Sequence, residues 1–79
     1  MTPHMHAVAS SDLWMVGYDD RSAELWIRFR NYSHLVYVYA NVPVATYQQL
    51  LASGSKGRYF HARIKDRYRF RRLAWRNAA

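Results

Sequence analysis

The sequence contains no cysteine, so neither a disulfide framework nor a thiolate zinc site is available to hold the fold together. It has no apolar run near the roughly 18 to 20 residues that cross a bilayer. Its opening, MTPHMHAVASSD, lacks the basic start and apolar centre of a signal peptide. These absences point to a cytoplasmic chain. Length excludes more, because 79 residues form one domain that buries only about 60% of its unfolded surface, with no room for a second core or a large enclosed active site. Acidic residues are scarce, five against 12 Lys and Arg. What the chain does have is apolar material: 51% AVILMFWYC, rich in aromatics, which is enough for a packed core and unlike a disordered tail.

The few acidic residues are unevenly placed. Residues 1–55 carry Arg21, Arg28 and Arg30 against Asp12, Asp19, Asp20 and Glu24, a net charge of −1, whereas residues 56–79 carry nine Lys or Arg against Asp66, a net of +8. All of the excess positive charge therefore sits in the last third, as expected of a surface for nucleic acid or an acidic partner. A solvated face of an ordinary fold is the plainer alternative. Within KGRYFHARIKDRYRFRR, residues 56–72, the cations alternate with Tyr59, Phe60, Ile64, Tyr68 and Phe70, so this segment must both pack and carry charge.

Periodicity outlines an α+β domain. LWMVGY (13–18) reads as a strand ending in an Asp-Asp-Arg-Ser turn. AELWIRFR (23–30) alternates, with Leu25, Ile27 and Phe29 facing one way and Glu24, Trp26, Arg28 and Arg30 the other. LVYVYANV (35–42) is a third strand rich in β-branched and aromatic residues, and the short turns make the three a meander. After Val42 the period lengthens. Pro43 suits a first helical turn, Val44, Tyr47, Leu50 and Leu51 share a face, and Gly54 stops the helix. Ser55 then caps a second short helix over 56–64. For residues 67–72 two readings compete: a fourth strand with Tyr68 and Phe70 inward and Arg67, Arg69 and Arg71 outward, or a continued helix using Phe60, Ile64, Tyr68 and Arg72. The strand is preferred, because a helix scatters the arginines around its circumference. The expected architecture is a small antiparallel sheet, a three-stranded meander plus a C-terminal strand, with one or two short helices on one face. Residues 1–10 and 76–79 are expected to be frayed tails flanking a single domain over 11–75.

SSDLWMVGYD, the pair Tyr37 and Tyr39 followed by Asn41-Val42-Pro43, then Tyr47 and SKGRYFHARIKDRYRFRRL, resemble the KTSC family, named for the C-terminal domain of some lysyl-tRNA synthetases. The resemblance spans roughly residues 10 to 73. It implies a small antiparallel sheet with helices packed on it, appended to enzymes or standing alone in bacteria and phages, with RNA binding as the suggested role. Trp14 departs from the pattern, standing where an aliphatic or small residue is usual.

Two candidate sites follow. If Leu25, Ile27 and Phe29 face the helices, Trp26, Arg28 and Arg30 lie on the opposite sheet face; if the third strand puts Tyr37 and Tyr39 in the core, Val36 and Val38 join them there, and Arg67, Arg69 and Arg71 extend that face if the fourth strand pairs into the sheet. Together with Lys56, Arg58, Arg63, Lys65 and Arg72 these form a surface on which bases stack while phosphates are neutralised. The same surface would also suit a protein interface, including a second copy of the chain. The other candidate is Ser55-Lys56-Gly57, where the N-terminus of a helix offers free N–H groups to an anion. Catalysis has little support: His4 and His6 lack a third ligand nearby, His34 and His61 lack an evident carboxylate partner, and Asp19 and Asp20 point apart on a strand end. The expectation is a non-catalytic, cofactor-free nucleic-acid binder, RNA before DNA, with no membrane role. The alternative is a small phage-type regulator or inhibitor docking on a host complex such as RNA polymerase or a defence system.

Overall fold

The computed structural model describes residues 2–75, so the expected tail at 76–79 lies outside the described residues. The chain forms β1 (His6–Ala7), β2 (Leu13–Asp19), β3 (Glu24–Phe29), β4 (Leu35–Tyr39), α1 (Val44–Ala52), α2 (Lys56–Arg63) and β5 (Phe70–Ala74). The strands make one antiparallel sheet whose spatial order follows the sequence. Both helices occupy the connection between β4 and β5.

The strict alternation of β3 decides what lies on each side. Leu25, Ile27 and Phe29 join Leu13, Val16 and Tyr39 in a core closed by Leu50 of α1, Phe60 of α2 and Ile64 just beyond it. The register Ile27 to Tyr37 and Leu25 to Tyr39 carries both tyrosines onto this helix-covered face, as alternation requires. The turn between β2 and β3 is fixed by Asp19, whose Oδ1 accepts the Arg21 N–H at 3.0 Å. Asn41, at φ 57°, turns the chain out of β4 in a left-handed conformation that Asn tolerates better than most residues. Pro43 serves as the N-cap of α1. The Ser55 hydroxyl caps α2 by accepting the Arg58 N–H at 3.4 Å. Of the four residues expected on the buried face of α1, Leu50 is fully buried, Tyr47 and Leu51 are half-buried and Val44 is exposed.

Three expectations give way. First, the start of the chain is not frayed: β1 pairs with β2, His6 opposite Val16 and Ala7 opposite Met15, and Met5 is buried. Second, the sheet face away from the helices is not open. Trp26, Val36, Val38 and Met5 form a second buried cluster, flanked by Met15 and Trp75. Gly17, opposite Trp26 in register, permits this: a Cβ there would lie 2.7 Å from both the His4 carbonyl oxygen and the Met5 sulfur, the close backbone approach that a glycine inside a strand often marks. Third, the last strand starts late. Asp66 has φ 64° and turns the chain after α2, so Arg67 lies in the connection. Only from Arg69, whose carbonyl oxygen accepts the Ala40 N–H at 2.9 Å, does the segment follow β4. The helical alternative for these residues is excluded by the ladder from Tyr39 opposite Phe70 to Leu35 opposite Ala74.

Candidate functional site

On the helix-covered face the aromatic residues are not all enclosed. Phe60 of α2 packs edge-on against Phe29 at 5.1 Å and Tyr39 at 5.6 Å between centroids, and Phe29 meets Tyr37 edge-on at 5.3 Å. Phe70 leans over Tyr37 and Tyr39 from the neighbouring strand, at 5.6 and 5.4 Å with the rings tilted by 32° and 34°. Between α2 and β5 a cleft of about 330 Å³ opens onto these rings. Tyr32, in the turn Arg30–Tyr32 that leads from β3 to β4, lines it near the Leu35 end of β4, and Phe70 near the Tyr39 end. Both are 53% exposed. Asn31, Lys65, Asp66 and the pair Asp12 and His61 complete the lining, with His61 Nε2 3.3 Å from Asp12 Oδ2. Burial, followed by the nearby Tyr37 and Asp66, raises the Tyr39 phenol above its ordinary value, so it stays protonated as a donor.

The cations sort into two groups. Lys65 lines the cleft. Arg67 and Arg69 border an adjoining hollow with Phe70. Arg72 lies opposite Tyr37 in register and shares the face of Phe70. Arg58 and Arg63 are exposed on α2. None of these six makes an ion pair among the described residues. The second group is already engaged. Arg71, on the other face, binds Glu24 Oε2 at 2.8 Å, and that hydrogen bond is the main reason the Glu24 carboxyl is held below its usual range, against opposing desolvation. Arg30 Nε donates to the Ser10 carbonyl at 2.8 Å. Lys56 Nζ donates to the Ser53 carbonyl at 3.2 Å.

Two of the residues expected on a base-stacking surface are inaccessible. Trp26 is 5% and Arg28 7% exposed, because residues 3–5 and Trp75 cover the face on which they lie. Arg28 is held between the rings of Trp14 and Trp75, 4.4 and 4.3 Å from their centroids, and donates to the Ser33 carbonyl. Two indole faces and a carbonyl thus replace water around this guanidinium. Trp14 has its role here: it forms one wall of that stack. At the expected anion site a hollow of about 790 Å³ is lined by Ser55, Lys56, Gly57 and Arg58, and protein groups engage part of it. Ser55 spends its acceptor on the cap, and a Cβ on Gly57 would lie 3.5 Å from Cβ and 3.7 Å from Oδ2 of Asp12, so a carboxylate already stands beside the first turn of α2. Among the described residues no group of three or more His, Cys, Asp or Glu could hold a metal ion, and no helix is long and apolar enough to cross a membrane.

Sequence patterning assigned Tyr37, Tyr39 and Phe70 to the core and missed the cleft. The visible signal was placement: Phe70 stands in an arginine run and Tyr32 in a turn, positions where an aromatic ring has too few neighbours to be enclosed.

No curated protein matches the chain. A crystal structure of a KTSC domain protein from Yersinia pestis matches it with a TM-score of 0.87 and 32% identity, covering 92% of this chain and 100% of that one. The KTSC domain itself matches residues 9–68, from the Ser10 turn through both helices to Tyr68 beside the cleft. Since that span takes in most of the sheet and both helices, and the solved domain follows the same path over nearly the whole chain, this protein belongs to the KTSC family.

Proposed function

We propose that this domain binds single-stranded nucleic acid, RNA in preference to DNA, and does so without catalysing a reaction. One observation carries the proposal: a cleft with two half-exposed aromatic rings is bordered by exposed cations that have no ion-pair partners among the described residues. Each part has its use in a nucleic-acid complex. Lys65, Arg67, Arg69 and Arg72 neutralise phosphates, which supplies affinity and makes it depend on salt. Phe70 and Tyr32 offer ring faces to bases that a loop or single strand leaves unstacked. Trp26 and Arg28, being buried, take no part. Arg30, Lys56 and Arg71 are already held by protein groups, and Arg58 and Arg63 extend the positive field along α2.

The test is a salt titration of binding to a fluorescently labelled single-stranded RNA of about 12 nucleotides, followed by anisotropy. Each phosphate contact on a single strand contributes a slope of roughly −0.7 in log affinity against log salt. Changing Lys65, Arg67, Arg69 and Arg72 together to Gln is expected to flatten the slope by up to about 3. All four side chains are exposed, so the fold is expected to persist. Absence of RNA binding at about 50 mM salt, or a slope indifferent to all four changes, would sink the proposal. Capture of an acidic protein in its place would move the basic surface to a protein-docking role.

A further inference from the structure

The geometry points to a single-base pocket: we infer that the cleft between α2 and β5 admits one unstacked nucleobase and prefers adenine, guanine or cytosine to uracil. This rests on the nucleic-acid function proposed above and adds to it a place for one base and a rule for choosing it.

Size comes first. A volume of about 330 Å³ has room for one purine base, whose bonded ring atoms each take less space than a water molecule. The floor is ring surface from Phe29, Tyr37 and Phe60, and the exposed Phe70 and Tyr32 stand at its two ends, so a planar group entering it exchanges water for aromatic contact on several sides.

Charge then separates base from phosphate. The whole sequence has five acidic residues, yet two of them, Asp12 and Asp66, line this one cleft. Lys65 lines the cleft too, so the two carboxylates leave its interior without the excess positive charge that draws a phosphate. Arg67, Arg69 and Arg72 stand outside it, beside Phe70 or across from Tyr37, where the backbone of an inserted nucleotide must run. Carboxylate acceptors inside, with all of these arginines outside, suit a nucleotide whose base points in.

Selectivity follows from the acceptors. Asp12 already faces His61, whereas the Asp66 side chain makes no ion pair among the described residues. A carboxylate accepts from the exocyclic amino group of cytosine, adenine or guanine. Uracil has no amino group, and its one Watson–Crick donor, N3–H, lies between two carbonyl oxygens that meet the carboxylate unfavourably.

A decisive experiment uses nine-residue abasic ribose-phosphate chains of identical charge, either wholly abasic or bearing one central adenine, guanine, cytosine or uracil, with affinity read by anisotropy on the full chain. An amino-bearing base is expected to bind about tenfold or more tighter than the abasic chain, and severalfold tighter than uracil. Phe70→Leu keeps apolar bulk but removes the ring, and is expected to erase most of the gain from the base while leaving abasic affinity unchanged. Asp66→Asn is accommodated by the left-handed backbone at this position. It raises affinity for every chain by removing a negative charge, so its informative readout is the adenine-to-uracil ratio, expected to fall toward one. Equal, salt-dependent affinity for abasic and base-bearing chains would overturn the pocket while leaving phosphate binding intact. Failure of every chain to bind would overturn the pocket together with the function on which it rests.

Discussion

Gly17→Ala puts the covered face of the sheet to a direct test. The added Cβ would meet the His4 carbonyl oxygen and the Met5 sulfur at 2.7 Å, about 0.8 Å inside ordinary van der Waals contact. The thioether can swing away, but the carbonyl belongs to the backbone just before β1, so residues 3–5 must lift from the sheet. Overpacking of this kind costs about 1 to 3 kcal/mol, and the better strand propensity of Ala returns at most about 1 kcal/mol. Taking the middle of that range, the net loss of about 1 kcal/mol lowers the melting temperature of a domain this size by roughly 4 to 8 °C. The optics are favourable, because Trp26 lies beneath the lifted segment and the other two tryptophans flank Arg28 on the same face. Intrinsic tryptophan emission therefore reports this face and not the aromatic cleft. The expected result is a lower melting temperature by circular dichroism, a red-shifted emission maximum and greater acrylamide quenching. A melting temperature within about 2 °C of wild type, with unchanged emission, would mean that the N-terminal residues do not cover Trp26.

Two further outcomes follow from the same face. Glu24 has its folded-state pKa lowered, chiefly by the hydrogen bond from Arg71, so the stability it contributes is fully present above the ordinary value of 4.5 and is lost as pH falls through the lowered folded value. Chemical denaturation between about pH 5 and pH 3 should therefore show a steeper loss of stability in wild type than in Glu24→Gln; parallel curves would mean that the pair is not formed in solution. Arg28→Lys keeps the charge but loses the planar stack between Trp14 and Trp75, and is expected to cost about 1 to 3 kcal/mol by urea denaturation while leaving RNA affinity unchanged, since the side chain is buried; weakened RNA binding by a folded Arg28→Lys protein would contradict that burial.

The parts of the fold legible in the sequence are those governed by local period. A two-residue alternation placed Leu25, Ile27, Phe29, Tyr37 and Tyr39 correctly on the helix side, and Ser55 and Pro43 marked where the helices begin. What escaped depended on segments too short to show a period. MTPHMHAV offers four apolar side chains with no regular period, and only its partner Gly17, a glycine in the middle of a strand, hinted that backbone would pass close by. Arg71 was placed on the outer face, where it does lie, but its carboxylate partner Glu24 is 47 residues away, beyond any local pattern. The positive φ at Asp66 displaced the final strand by a few residues, which took Arg67 out of the row of outward arginines. The cleft was the least legible feature, because it is set by how far α2 extends over the sheet, and no single segment encodes that.

The span over which the KTSC domain matches, residues 9–68, divides the candidate site. The aromatic floor, Tyr32, Lys65 and Asp66 fall within it. Phe70 and Arg72 fall beyond it on β5, an edge strand whose residues are all exposed. Arg69 also lies past that boundary, just before β5, so the cleft gains one lip and much of its surrounding charge from a segment that adds little to the buried core, whereas Arg71 is turned away to Glu24. Substitutions in the floor must disturb packing between Phe60 and the sheet, and so mix stability with binding. Substitutions on β5 touch few buried neighbours. The ligand-binding role of this surface is thus separable from its folding at Phe70, Arg69 and Arg72, and a loss of binding produced there with an unchanged melting temperature isolates the contribution of the cleft.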